Sequence, residues 1–252
     1  MAGHSKWANI KHRKAAQDVK RGKIFTKLIR EITVAARLGG GVVADNPRLR
    51  AVMDKALQVN MSRDTVERAI KRGVGDEEGT QVEEVTYEGY GASGVAVLVE
   101  TMTDNRNRTV SEVRHAFTKN AGNLGTSGSV SYLFKRQGEI VLAAYHNEDL
   151  LMETALDVGA LDVIIHDDQS VEVTTPWELV IPIKEALVKQ RFSVERAEVV
   201  MSPATLTTIE DPEVAEKVLK LIDQLEDLDD VQNVYTNVDI PESVMEKIAS
   251  YS

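Results

Sequence analysis

The chain has 252 residues, of which 42% are hydrophobic and 28% are charged, and it contains no cysteine. These proportions are those of ordinary globular domains, so they exclude a collagen-like chain and a wholly disordered one. The absence of cysteine excludes disulfides, thiolate catalysis and zinc or iron–sulfur sites with cysteine ligands. The length is enough for about one to three domains.

Charge is distributed unevenly along the chain. The net charge of the whole chain is −10, but residues 1–72 hold 17 Lys and Arg against 6 Asp and Glu, which gives this segment a net charge of +11. Residues 73–252 hold 13 basic and 34 acidic side chains, a net charge of −21. Such an asymmetry is typical of a polyanion-binding module carried on an acidic body.

Three short amphipathic helices are predicted in the basic segment. Residues 24–32 place apolar side chains on one stripe of the first helix, and the glycines at 39–41 end it. Asn46 and Ser62 are predicted to cap the second and third helices, and Gly73 is expected just past the end of the third. A separate, basic stripe of the first helix contains Lys20, Lys23, Lys27 and Arg30.

The middle of the chain has the pattern of an α/β domain. Residues 73–82 mix glycine with acidic side chains and are predicted to be a linker. Residues 84–90 and 95–102 are rich in Val, Thr and Tyr, which predicts two strands. Thr109 and Glu112 match a capping box, so a helix is expected to begin at Thr109.

A regular alternation of strands and helices follows residue 129, in an order close to a β-α-β-β-α-β unit. Pro182 lies early in one of the predicted helices, which is therefore expected to start near Ile181. The predicted elements are strands at 129–134 and 140–144, a helix at 150–158, a hairpin of strands 163–166 and 171–174, a helix running through 185–189 and a strand at 194–200. The end of the chain adds a strand at 206–209, a helix at 212–225 and a strand at 231–238.

These elements predict an α+β protein of three domains, a three-helix module and two α/β domains of ferredoxin-like type. We expect residues 1–82 to form the helical, basic domain with its linker. The strand, helix and strand predicted at the end of the chain make up only half of a domain. The two strands and the helix predicted in the middle of the chain would supply the other half. We therefore expect residues 83–128 plus 202–252 to form one discontinuous domain, into which residues 129–201 are inserted as another.

Several motifs resemble those of the YebC/PmpR family. They are residues 1–14 (MAGHSKWANIKHRK), 20–25 (KRGKIF), 28–31 (LIRE), 46–50 (NPRLR), 87–91 (YEGYG), 103–109 (TDNRNRT) and 128–130 (GSV). The resemblance implies a helical N-terminal domain and two α/β domains, one inserted into the other. It also implies a DNA-binding transcriptional regulator. Because the family's mitochondrial relatives are translational activators, a translation factor that binds ribosomal RNA is the alternative function.

The basic N-terminal segment is the main candidate for nucleic-acid binding. Lysine and arginine neutralise phosphates and release counterions, Trp7 can stack on an exposed base, and His12 can hydrogen-bond one. Arg106 and Arg108 precede a predicted helix, where they can bind a phosphate or a partner's carboxylate. The alternatives are a solvated basic face with Trp7 in the core and a polar turn with exposed arginines. The predicted binding residues are Lys6, Trp7, Lys11, His12, Arg13, Lys14, Lys20, Arg21, Lys23, Lys27, Arg30, Arg48, Arg50, Arg106 and Arg108.

No catalytic or metal site is predicted. Gly122, Gly125 and Gly128 lack the Gly-Lys-Ser/Thr ending of a phosphate loop and are predicted to form a hinge. The acidic residues beside His146 and His166 lack the spacing of a metal-ligand set. The sequence therefore predicts no enzyme, no cofactor, no metal and no small-molecule substrate.

The sequence also predicts a location and a partner. No run of the chain approaches the ~18 apolar residues of a membrane-spanning helix, and residues 1–7 lack the apolar core of a secretory signal. The protein is therefore expected to be cytoplasmic and to bind nucleic acid, which is DNA or, in the alternative, ribosomal RNA. A third function left open is a scaffold whose basic end binds an acidic protein. The sequence leaves the oligomeric state open.

Overall fold

The structure is a computed structural model that describes residues 21–75, 82–143, 145–166 and 169–250. The described residues contain eight α-helices and ten β-strands, and they confirm the predicted α+β class, with N-terminal helices followed by two regions of mixed α/β structure. The chain divides into two compact units, residues 1–131 with 206–252 and residues 132–205. The second unit is thus inserted into the sequence of the first. None of the helices in the described ranges is long and apolar enough to cross a membrane.

Local signals set the ends of the three N-terminal helices, which are α1 (Arg21–Gly39), α2 (Pro47–Gln58) and α3 (Arg63–Val74). Asn46 and Ser62 are N-caps, as predicted, because their side chains accept hydrogen bonds from the backbone N–H groups of Leu49 and Thr65. Gly40 has a φ of +82°, the left-handed conformation that ends α1. The core among these helices includes Leu28, Ile32, Ala35, Leu49, Val52, Ala56, Val66 and Ala69.

Gly73 lies inside α3 rather than past its end, so the predicted end of this helix is wrong. It is buried, and a β-carbon at this position would lie 2.4 Å from the carbonyl oxygen of Thr33 and 2.8 Å from Cβ of Ala36. α1 and α3 therefore cross so closely that only glycine fits between them. Helix packing, rather than a turn, explains this glycine.

The sheet of the first unit begins with β1 (Glu83–Tyr90) and β2 (Ala96–Thr103), which pair antiparallel and are followed by α4 (Arg106–Lys119) and β3 (Asn123–Leu124). The predicted capping box at Thr109 is wrong. Asn105 caps α4 by accepting a hydrogen bond from the backbone N–H of Arg108, and Thr109 is a buried residue inside the helix. Asparagine is among the strongest N-caps, so the helix starts at this earlier residue.

The inserted unit is built from β4 (Phe134–Leu142), α5 (Glu148–Asp157), β5 (Asp162–Ile165), β6 (Val171–Thr175), α6 (Val180–Lys189) and β7 (Val194–Pro203). Its strand order is β5-β6-β4-β7, and every pair is antiparallel. This is the split β-α-β arrangement of a ferredoxin-like fold. Its core includes Ile140, Leu142, Leu151, Val171, Val173, Ile183 and Leu187.

The strands predicted around the start of the inserted unit need correction, whereas the predicted start of the helix that contains Pro182 is confirmed. The strands predicted at 129–134 and 140–144 are instead a short 3₁₀ helix (Ser131–Leu133) and one unbroken strand, β4. The helix containing Pro182 does start near Ile181, because the proline is the third residue of α6, where a backbone N–H would have no acceptor within the helix. Residue 144 of the predicted strand, residues 167–168 of the hairpin and residues 76–81 of the linker lie outside the described residues.

The chain then returns to the first unit through β8 (Thr207–Thr208), α7 (Pro212–Asp227), β9 (Val231–Thr236), β10 (Val238–Asp239) and α8 (Glu242–Ser250). β9 pairs with β2, which gives the strand order β3-β1-β2-β9, and β8 pairs with β10 in parallel. The strand predicted at 231–238 is interrupted at Asn237, whose side chain accepts a hydrogen bond from the backbone N–H of Ala96. The pairing of β9 with β2 brings residues 226–230, which are the end of α7 and its connection to β9, beside β2 and α4.

Gly73→Ala should destabilise the helical part of the first unit, because the added methyl group must push α1 and α3 apart. Overpacking costs about 1–3 kcal/mol, of which the higher helix propensity of alanine offsets at most ~1 kcal/mol. Urea unfolding followed by circular dichroism measures the change. Lys71→Ala, an exposed substitution in the same helix, is the control and should leave the midpoint unchanged. A Gly73→Ala midpoint equal to that of the wild type would contradict the close crossing.

Candidate nucleic-acid interface

The described residues include seven of the predicted binding residues with their side chains. Arg21 is the first residue of α1 that the structure describes. Lys6, Trp7, Lys11, His12, Arg13, Lys14 and Lys20 lie outside the described residues. The side chains that can be placed are those of Lys23, Lys27, Arg30, Arg48, Arg50, Arg106 and Arg108.

Lys23, Lys27 and Arg30 share one face of α1, as their spacing predicts, and together they form the α1 docking face. This face contacts residues 226–230, the docking segment, within the first unit. The Lys23 Nζ donates to the carbonyl oxygen of Asp227 at 3.0 Å and lies 3.6 Å from its Oδ1. The Lys27 Nζ donates to the carbonyl oxygen of Glu226 at 2.9 Å. The basic face that the sequence predicts is therefore a contact between two parts of the chain.

The chemistry of the docking segment explains why cations bind it. The last carbonyl groups of a helix have no intrahelical partner and carry the negative end of the helix dipole. The last turn of α7 contains no basic side chain of its own to compensate them. Lys23 and Lys27 supply that positive charge from α1, and Arg30 continues the contact by donating from Nη1 to the carbonyl oxygen of Asp229 at 2.7 Å.

Asp230 is the centre of the contact. Its side chain is only 1% exposed, and the Arg30 Nη1 lies 2.9 Å from its Oδ1. Its Oδ2 accepts hydrogen bonds from the Arg108 Nη2 at 2.7 Å, from the Arg108 Nε at 3.2 Å and from the Thr109 hydroxyl at 2.7 Å. The Thr103 hydroxyl also donates to Oδ2, at 3.2 Å. One buried carboxylate thus connects α1, α4 and the end of β2.

The surroundings of Asp230 keep its carboxyl ionised. Burial on its own raises the pKa of this carboxyl, but hydrogen bonds from Arg108 and Thr109 and the positive charges of Arg30 and Arg108 outweigh it, so the pKa lies below its ordinary value. The hydrogen bonds from Arg108 to Asp230 and Asp104 raise the pKa of the Arg108 guanidinium further above its ordinary value. Asp230 and Arg108 are therefore both charged at neutral pH.

The two arginines at the start of α4 differ in their contacts. Arg108 is engaged by Asp230 and by Asp104, whose Oδ1 lies 2.8 Å from its Nη2. Its guanidinium therefore holds the first unit together. Arg106 is more exposed, and its Nη1 lies 3.7 Å from the Glu83 Oε2. Where the sequence predicts that this pair binds a phosphate, the structure shows three carboxylates of the chain, those of Asp230, Asp104 and Glu83.

The remaining placed cations lie on the surface of the helical part. Arg48 forms an exposed ion pair with Glu84, and the Arg50 Nη2 donates to the carbonyl oxygen of Ala44 at 2.6 Å. Sequence reasoning missed a further set of exposed cations, although the outward positions of α3 in a helical projection could have identified most of them. They are Arg37, Arg63, Arg68, Lys71 and Arg72.

The glycine-rich loop after β3 binds a side-chain carboxylate of the same chain, that of Glu88. The backbone N–H groups of Gly128, Val130 and Ser131 donate to the buried carboxylate of Glu88 at 2.7, 2.8 and 2.7 Å. Burial raises the pKa of Glu88, but these hydrogen bonds lower it more, so it lies below its ordinary value. The loop is therefore fixed to β1 at the position where a hinge is predicted.

The histidines considered as metal ligands have other neighbours. His146 stacks on Phe192 with ring centroids 4.5 Å apart, and the His166 Nε2 lies 3.7 Å from the Glu172 Oε2. In the part of the chain that the structure describes, no group of three or more His, Asp or Glu side chains is arranged to hold a metal ion.

Asp230→Asn should destabilise the first unit by about 2–3 kcal/mol at pH 7, because it leaves Arg30 and Arg108 facing a neutral amide. A carboxyl whose pKa is lowered by folding stabilises the protein above its unfolded pKa of about 3.9, and this stabilisation is lost as the pH falls through the lower folded value. The difference in free energy of unfolding between the wild type and the variant should therefore be constant from about pH 5 to 8 and shrink below about pH 4. Urea unfolding at a series of pH values measures it.

Asp227→Asn is the matched control, because it removes the same charge from an exposed carboxylate of the docking segment. The expected loss is below about 1 kcal/mol. Equal effects of the two substitutions, or a pH-independent difference between wild type and Asp230→Asn, would contradict the assignment of Asp230 as the buried centre of the contact.

Comparison with known proteins identifies the family. Residues 5–76 match the model of the TACO1/YebC protein N-terminal domain, and residues 82–238 match the model of the TACO1/YebC second and third domain. The chain is 61% identical over 248 residues to a protein of Pseudomonas aeruginosa named transcriptional regulatory protein PmpR, an alignment that covers 98% of this chain and 100% of the relative. It is 62% identical to a probable transcriptional regulatory protein of Hahella chejuensis, with 98% and 99% covered.

A solved structure has the same fold. The crystal structure of a conserved hypothetical protein from Aquifex aeolicus superimposes with a TM-score of 0.85 at 51% sequence identity, covering 94% of this chain and 98% of that one. The family models together span most of the sequence, and the curated relatives align over nearly its full length. The chain therefore belongs to the TACO1/YebC family.

Proposed function

We propose that the protein is a transcriptional regulator that binds DNA through its basic N-terminal domain. The observation that carries the proposal is the charge of +11 on residues 1–72 against −21 on the rest of the chain. Relatives at 61–62% identity are named transcriptional or probable transcriptional regulatory proteins, which supports a regulatory role. The proposed activity is binding rather than catalysis, and it takes place in the cytoplasm.

Electrostatics orients the proposed complex. Phosphates repel the acidic part of the chain and attract the basic part, so only the basic end approaches the duplex closely. Lysine and arginine contacts to phosphate supply affinity without reading sequence. The protein is thus expected to bind duplexes of many sequences with a strong dependence on salt.

The proposed contacts come from two sets of residues. Five cations before α1 carry the phosphate contacts, with Trp7 and His12 available to stack on or hydrogen-bond a base. Arg48, Arg50 and Arg106 are exposed enough to join them. The five cations are Lys6, Lys11, Arg13, Lys14 and Lys20. Arg108 serves the internal network described above.

The test measures the salt dependence of binding to a short duplex DNA. If about six to eight phosphates are neutralised, the logarithm of the association constant should fall with the logarithm of salt concentration at a slope of about −5 to −7. Lys11→Glu with Arg13→Glu should abolish binding at physiological salt, because the pair loses two phosphate contacts and adds two repulsions. A flat salt dependence would favour a protein-binding scaffold over DNA binding.

Lys189→Glu with Lys217→Glu is the control, because it changes the net charge equally at exposed positions outside the basic domain. This pair should leave the DNA affinity nearly unchanged. Co-sedimentation with ribosomes at the same salt is the parallel measurement. Binding to ribosomes without binding to duplex DNA would overturn the proposal in favour of ribosomal RNA.

A further inference from the structure

The α1 docking face is basic, and oxygen atoms of the chain already occupy it. Lys23, Lys27 and Arg30 each have an oxygen of the docking segment within 3.0 Å. We infer that this contact is autoinhibitory: residues 226–230 compete with nucleic-acid phosphates for the cations of α1. The inference rests on the proposed function and adds a regulation of the same basic surface.

The docking segment offers these cations the ligands that a phosphate backbone offers. Carbonyl oxygens at the end of α7 carry partial negative charge, and the carboxylates of Asp227 and Asp230 carry full charges. The Lys23 ammonium is shared between the carbonyl oxygen and the carboxylate of Asp227. A phosphate that takes the same hydrogen bonds has to displace these oxygens, so the two contacts exclude each other.

The solvent exposure of the contact between the α1 docking face and the docking segment decreases from Lys23 at its outer end to Arg30 at its inner end. The side chains of Lys23 and Asp227 are 46% and 52% exposed, and an exposed ion pair contributes little and is screened by salt. At the inner end, Asp230 is buried against Arg30 and Arg108. DNA should therefore displace the docking segment from Lys23 and Lys27 first, while Arg30 and Asp230 keep the first unit folded.

Carbodiimide cross-linking reports this displacement, because it joins an amine and a carboxylate that are in contact through an amide bond. The reporter is the product between Lys23 and Asp227, whose charged atoms lie 3.6 Å apart. The internal control is the product between Lys220 and Glu216, which lie 2.7 Å apart within α7. Saturating duplex DNA should reduce the reporter several-fold and leave the control unchanged, as measured by mass spectrometry of peptides.

The outcomes distinguish this inference from the proposed function. DNA binding with an undiminished Lys23–Asp227 product would overturn the inference alone. An absence of DNA binding in the same samples would overturn the proposed function and the inference with it. A parallel loss of both cross-links would show general shielding of α7 and would also count against competition at α1.

A substitution gives a second, independent measurement. Asp227→Asn removes a competitor of the phosphate and should tighten DNA binding about two- to fivefold, the range that an exposed ion pair allows. Glu216→Gln removes the same charge elsewhere on α7 and serves as the matched control, with little change expected. Equal affinities for the two variants would overturn the inference, because long-range charge alone would then account for any gain.

Discussion

The packing of the first unit depends on a buried carboxylate whose negative charge must be neutralised by neighbouring side chains. Asp230 is 1% exposed at its side chain, and a carboxylate so placed is stable only when cations and hydroxyl groups surround it. Arg30 of α1 and Arg108 and Thr109 of α4 contact this carboxylate. Because these residues are far apart in sequence, satisfying one carboxylate fixes the helical part against the sheet.

This requirement divides the basic N-terminal region into two parts with different tasks. The cations at 23, 27 and 30 neutralise the end of α7 and the residues that follow it, where the helix has no basic side chain of its own. In the proposed function, the cations before α1 and the exposed Arg48 and Arg50 of α2 bind the polyanion. The net charge of residues 1–72 is therefore larger than the charge that this region presents to a ligand. The difference is the part of its positive charge that the docking segment neutralises.

Sequence reasoning succeeds where the signal is local and fails where the partner is distant. Asn46 caps α2 as predicted because a cap acts on residues immediately after it. Thr109 fits a capping pattern equally well, yet its hydroxyl bonds the carboxylate of Asp230, which no neighbouring residue reveals. Gly73 reads as a helix stop, whereas contact with α1 requires it. The common face of the α1 cations follows from helical spacing, but its occupation by residues 226–230 does not.

A double-mutant cycle between Arg30→Met and Asp230→Asn tests most directly whether Asp230 holds α1 in place. Native-state hydrogen exchange of α1 amides supplies the opening free energies, because it reports this helix separately from the inserted unit. We expect a coupling free energy of about 1–3 kcal/mol, with amides of residues 132–205 unaffected. If the changes in opening free energy of the two single variants add up to that of the double variant to within ~0.5 kcal/mol, Asp230 does not hold α1 in place through Arg30.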